Sequence, residues 1–311
     1  MNRHFFYFIL TTAFFTVSFM SCNTLVGTDE ESAEQIAVNL NANINQLSTY
    51  VANNQWESGD EVGLYMIRAG HSLKGVEAIY SDNVSMSLAG QTLAANPPVM
   101  YPTSGNVDFV AYYPYTVSVD TSFTIPVFIG EPDSLTTEIL YSNNVINQAP
   151  TASPVTLNFR YSLAKIQLTI ANGANSNFTL ADFINASVTV DSLYTQARLD
   201  LTDGTLVDYQ AKQNVRFFMS SVSDTTAVFE ALVIPDNQEL TFLFTIGGSV
   251  YRHIMYVNYT TETLYKYNFA FDFPNLPSQT VTLLNAVIMP RYEEPTQNIS
   301  IDGANPALPA P

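Results

Sequence analysis

Short runs of alternating apolar and polar residues recur along this chain, and they leave little room for any fold but a β fold. Val62, Leu64 and Met66 alternate, as do Val107, Phe109, Ala111 and Tyr113. Val155, Leu157 and Phe159 follow, then Ile166, Leu168 and Ile170. Later runs are Val188 and Val190; Phe229, Ala231 and Val233; Leu240, Phe242, Phe244 and Ile246; and Tyr265, Tyr267, Phe269 and Phe271. A period of two turns one face of each strand inward. No long segment keeps the 3.6-residue period of an amphipathic helix. Asn172-Gly173, Asp203-Gly204 and Gly247-Gly248 supply tight turns between runs. The pattern predicts an all-β fold, and this strand spacing predicts antiparallel β-sandwiches.

Such strands need a large core, and the chain provides one: 47% of its 311 residues are hydrophobic and only 13% are charged. That composition excludes a disordered chain. The 18 Tyr and 20 Phe further favour strands. A formal net charge of −17 disfavours nucleic acid and anionic lipid headgroups as partners. The length accommodates two domains. Their boundary is predicted at Asn147–Pro154, which holds two prolines and no large apolar side chain. The divisions are a signal peptide at 1–21, an acidic tether at 22–37, an N-terminal β-sandwich domain at 38–152, a C-terminal β-sandwich domain at 153–290, and a polar, Pro-rich tail at 291–311.

The N-terminus carries its own instruction. Arg3 and His4 precede an apolar run from Phe5 to Phe19, which ends in Phe19-Met20-Ser21-Cys22. This is the layout of a secretory signal, too short for a first reading as a spanning helix. Met20-Ser21-Cys22 resembles the bacterial lipobox, which makes Cys22 the acylated first residue of the mature protein. Cys22 is the only cysteine of the chain, so no internal disulfide can use it. The alternative is an ordinary cleaved signal with a chance cysteine. Lipid on Cys22 would hold the protein at a membrane surface.

Six longer motifs stand in order along the chain. They are Trp56-Glu-Ser-Gly-Asp-Glu-Val-Gly-Leu-Tyr-Met66, Val107-Asp-Phe-Val-Ala-Tyr-Tyr-Pro-Tyr115, Ile139-Leu-Tyr-Ser142 and Val155-Thr-Leu-Asn-Phe-Arg-Tyr-Ser-Leu-Ala-Lys-Ile166. Phe229-Glu-Ala-Leu-Val-Ile-Pro235 and Leu264-Tyr-Lys-Tyr-Asn-Phe269 complete the set. In this order the six resemble the motifs of the fimbrillin-like lipoproteins of Gram-negative anaerobes. The resemblance implies two tandem transthyretin-like antiparallel β-sandwich domains. It implies a lipid-anchored, surface-exposed protein of the outer membrane or the fimbrium, with other fimbrial subunits as partners through β-augmentation. It also implies that a protease cutting after a basic residue removes the N-terminal strand, leaving a groove for a strand of the next subunit. Here this chain departs from the pattern. Between Cys22 and Arg68 there is no Lys or Arg, and Tyr50 stands about where the Arg would be. The expectation is an uncut, lipid-anchored base or anchor subunit, or a non-polymerising surface protein.

If a strand is donated, the candidate is Gln279–Met289, with Val281, Leu283, Val287 and Met289 at even spacing. The alternative is that this stretch is a plain last strand of the second domain. A second functional class is binding of a host protein or glycan through exposed aromatics, with Tyr112-Tyr113-Pro114-Tyr115 as the candidate platform; the alternative is that these rings pack in the core and edges of a β-sandwich. Catalysis has no support. His4 leaves with the signal, His71 reads as an exposed turn residue and His253 as a strand residue, so a nucleophile-His-acid site is not expected. No cofactor site and no metal site are predicted. Asp200-Leu-Thr-Asp-Gly204 lacks the acidic spacing of a calcium loop and reads as a hairpin turn.

Overall fold

The structure is a computed structural model, described for residues 35–44, 56–129, 138–272 and 281–291. The strands in chain order are β1 (Leu40–Ile44), β2 (Glu61–Arg68), β3 (Ile79–Ala89), β4 (Thr92–Ala94), β5 (Val107–Tyr113), β6 (Thr124–Phe128), β7 (Leu140–Ser142) and β8 (Val155–Tyr161). They continue as β9 (Ala164–Asn172), β10 (Ser187–Asp200), β11 (Leu206–Arg216), β12 (Phe218–Val222) and β13 (Thr226–Val233). The last four are β14 (Asn237–Ile246), β15 (Ser249–Asn258), β16 (Thr263–Phe271) and β17 (Val281–Pro290). One short helix, α1 (Leu180–Ile184), follows a capping box in which Thr179 and Asp182 satisfy each other's backbone N–H groups.

The all-β prediction holds, but the first half is not a sandwich. β1, β4, β3, β2, β5, β7 and β8 close in that order into a seven-stranded barrel. Parity explains one of its pairings. An odd number of strands cannot alternate direction all the way round a ring, so one neighbouring pair must run parallel. That pair is β1 with β8, in register from Leu40 opposite Val155 to Ile44 opposite Phe159. The other six pairings are antiparallel.

The second half has two open five-stranded sheets. One runs β11-β10-β14-β15, with β6 also on β10, and the other runs β12-β13-β9-β16-β17. They share one core, in which Ile166, Leu168 and Phe269 of one sheet meet Val188, Phe242 and Phe244 of the other. Here too one pairing is parallel, β9 with β16. The expectation of purely antiparallel sandwiches is thus corrected in both halves.

Strand pairing crosses Asn147–Pro154 in both directions. β8, which follows that segment, closes the barrel, and β6, which precedes it, pairs with β10. β10 is the shared spine. Its first residues pair with β14 and its last with β6, while β11 runs along its other edge. A separate core fills the space between β6–β10 and the outer wall of the barrel. It joins Tyr65, Ile67, Val110, Tyr112 and Tyr141 to Ile125, Val127, Ala197 and Leu199. β2 is therefore buried on both faces from Val62 to Ile67. Gly63 sits where a Cβ would lie 2.2 Å from the ring of Tyr112, so only glycine lets that ring lie against β2.

Candidate strand-exchange site

Two terminal strands carry the features on which strand exchange would depend. β1 reaches into the barrel core: Leu40 and Ala42 are fully buried, and Val38 just before it is buried as well. Its backbone is bonded on both sides. The Val38 N–H donates to the Val99 carbonyl (2.8 Å), the Ala42 N–H to the Gln91 carbonyl (2.7 Å), and the Val155 N–H to the Asn39 carbonyl (2.9 Å). Asn39 Nδ2 adds a bond to the Ala152 carbonyl (2.9 Å) and Asn43 Nδ2 one to Asn158 Oδ1 (3.3 Å). Taking β1 away would open a groove between β4 and β8, with backbone edges on both sides and apolar side chains below.

β17 is the edge strand of its sheet and pairs antiparallel with its own β16, from Val281 opposite Phe271 to Pro290 opposite Thr263. In this structure the candidate donor is thus the last strand of its own fold. A register shift between Asn268 and Phe269 breaks its phase, so the even spacing read from the sequence does not map onto one face. Leu283 and Ala286 pack against the sandwich core, and Met289 is half-buried. Val287 is exposed, as are Leu284 and Ile288.

The end of β17 is fixed by a residue assigned from sequence to the tail. Arg291 is buried, with its side chain only 3% exposed. Its guanidinium forms a two-pronged pair with the Glu138 carboxylate, donates to the Leu163 carbonyl (3.4 Å), and stacks 3.7 Å from the centre of the Tyr161 ring. Its backbone N–H donates to the Glu262 carbonyl (2.6 Å). The tail from 292 onward lies outside the described residues, as do Cys22 and the tether up to residue 34.

Of the aromatic run considered as a ligand platform, Tyr112 and Tyr113 are used in internal packing. Tyr112 is fully buried and donates to Asn83 Oδ1 (2.7 Å); burial pushes its phenol up to about 12. Tyr113 is half-buried, donates to Asp60 Oδ1 (3.1 Å), and packs edge-on against Trp56. His71 is exposed and His253 lies in β15, as expected. Asp200 to Gly204 makes the β10–β11 turn, with the Gly204 N–H on the Asp200 carbonyl (2.8 Å). Among the described residues no group of three or more His, Cys, Asp or Glu could hold a metal ion.

The sequence pattern of the family described as Fimbrillin-like matches residues 49–290. This chain belongs to the fimbrillin-like family. Fim1C of Bacteroides uniformis, described as a candidate fimbrium subunit, is 25% identical over 162 residues; the match covers 51% of this chain and 53% of that relative. This fimbrillin-like chain therefore spans about half the length of the curated relative it matches. Two crystal structures share its fold, both described as candidate cell adhesion proteins. One from Bacteroides uniformis has a TM-score of 0.64 at 18% identity and covers 82% of this chain and 98% of its own. One from Bacteroides ovatus has a TM-score of 0.65 at 17% identity and covers 84% of this chain and 99% of its own.

Proposed function

We propose that this fimbrillin-like protein is an anchor subunit, held on the outer membrane by lipid on Cys22, with β1 retained in its barrel and β17 offered to the next subunit by β-augmentation. The observation that carries this reading is the placement of β1 relative to basic residues. The first Lys or Arg after Cys22 is Arg68, the last residue of β2. A cut there would remove β2 as well as β1. β2 bridges β3 and β5 and contributes to both the barrel core and the core outside it, so the barrel could not survive its loss. A protease specific for basic residues thus has no site that frees β1 alone. The acceptor groove stays filled, and the chain can give a strand but not take one there. That is the behaviour required of the first subunit of a fibre.

N-terminal analysis of the surface-exposed protein tests the assignment. The expected result is a mature chain beginning at acylated Cys22. A mature end between residues 40 and 56 overturns it, because the acylated Cys22 would be gone and, past residue 44, β1 with it.

A further inference from the structure

The two terminal strands are held in opposite ways. β1 is held by burial: it is one strand of a closed ring, with Leu40 and Ala42 at 1% and 0% exposure. β17 is held at an edge. Only Leu283 and Ala286 of its described side chains pack against the sandwich core, while Leu284, Val287 and Ile288 are 61%, 41% and 59% exposed. Its ladder to β16 is broken once, and ladder bonds lost on opening are replaced by bonds to water, so they resist release only modestly. Arg291 differs. Its charge is almost fully withdrawn from solvent and is met by the Glu138 carboxylate, the Tyr161 ring and the Leu163 carbonyl. Two-pronged charged pairs are among the strongest hydrogen-bonded contacts, and separating one that is buried leaves a charge without a partner. Glu138 precedes β7, Tyr161 ends β8 and Leu163 lies in the β8–β9 turn, so the pocket belongs to the barrel rather than to the sheet that β17 extends.

From this contrast we infer that Arg291 is the latch that keeps β17 in its own sheet, and that withdrawal of its guanidinium from the Glu138–Tyr161 pocket is the step that frees the strand for another subunit. The inference rests on the reading of β17 as the donated strand. It makes Arg291 a positioning residue, acting on β17 through the barrel.

Hydrogen exchange of the full chain, followed by mass spectrometry, tests it. In Arg291→Ala the amides of 282–289 should exchange about tenfold faster or more, while those of β9 and β13 keep their wild-type rates. Glu138→Gln should give a smaller increase in the same place. Should Arg291→Ala fail to fold, Arg291→Lys and Glu138→Gln carry the test by the same criterion. Wild-type rates in β17, or an equal rise through β9 and β13, overturn the latch. Detergent-resistant ladders of the wild-type protein report separately on donation. Faster β17 exchange without ladders keeps the latch and removes the donor reading; ladders with unchanged exchange do the reverse.

Discussion

The indole N–H of Trp56 donates to the backbone carbonyl of Ala42 at 3.1 Å, tying the side chain that precedes β2 to the middle of β1. The same ring packs edge-on against Phe159 of β8 at 5.1 Å and Tyr113 of β5 at 5.4 Å. β1 has five residues, so each contact beyond its ladder weighs in how firmly it is held. Trp56 therefore acts as a clasp across the site where β1 enters the barrel, joined to β1 by a hydrogen bond and to the wall by ring contacts.

Trp56→Phe keeps most of the ring contacts and loses the bond to Ala42. Its expected cost is about 1 kcal/mol of unfolding free energy. Trp56→Ala also removes the ring and should cost about 3 kcal/mol. Urea unfolding of the two variants checks the order. Equal losses would mean that the ring contacts add nothing beyond the hydrogen bond.

Much of this was legible in the sequence, and the parts that were not share a cause. Alternation identified the strands because a half-buried strand leaves a period-two record. It could not tell barrel from sandwich, because Leu157 and Phe159 point inward in either. What decides is which strand sits beside β8, and that pairing with β1 spans more than a hundred residues. Tyr112 posed a related ambiguity, because an aromatic run can pack internally or face a ligand and alternation alone does not decide. β5 is buried on both faces, so its aromatic run records a second core outside the barrel rather than a surface. Arg291 was hidden by composition: a basic residue at the start of a polar, Pro-rich stretch looks solvated, and its acceptor Glu138 is 153 residues away. Trp56 stood in a motif that the sequence identified, but the motif showed a turn and a strand, not the indole's partner.

The barrel slot tolerates only small or apolar side chains from β1. Ala42 is completely buried among apolar neighbours, so Ala42→Asp would place a carboxylate where no donor awaits it. An uncompensated buried charge costs several kcal/mol, about 3 or more in practice. The expected outcome is loss of β1 from the barrel, read as rapid exchange of the amides of Leu40–Ile44 and new cleavage within 35–60 by a broad-specificity protease. A stable barrel with protected β1 amides would show that the slot is more forgiving than its packing indicates.

Lys165 and Glu230 form a pair at 2.7 Å on neighbouring strands β9 and β13, with side chains only 8% and 7% exposed, and Gln167 Nε2 donates to the same carboxylate. Lys165→Met alone strands the Glu230 charge and should cost about 3–5 kcal/mol. The double variant Lys165→Met with Glu230→Met removes both charges and should recover most of that loss, since apolar replacement of a buried pair is often close to neutral. A double-mutant cycle by chemical unfolding measures the coupling. Additive losses would show that the two residues act independently.

His253 gives the second half a defined acid sensitivity. It lies on the half-buried side of β15, with its ring 5.2 Å from that of Phe269, and burial lowers its pKa below the ordinary value of 6.5. The unfolded chain therefore binds this proton more readily than the folded one. The contribution to stability is complete above pH 6.5 and declines as pH falls from there toward the lower folded value. His253→Gln, which cannot take up the proton, should remove this part of the slope. Urea midpoints of the two proteins, compared from neutral pH down to about pH 5, isolate the effect, since all other titrating groups are common to both. The wild type should lose more stability than the variant over that interval. Parallel curves would mean that His253 accepts its proton as easily in the folded protein as in the unfolded chain.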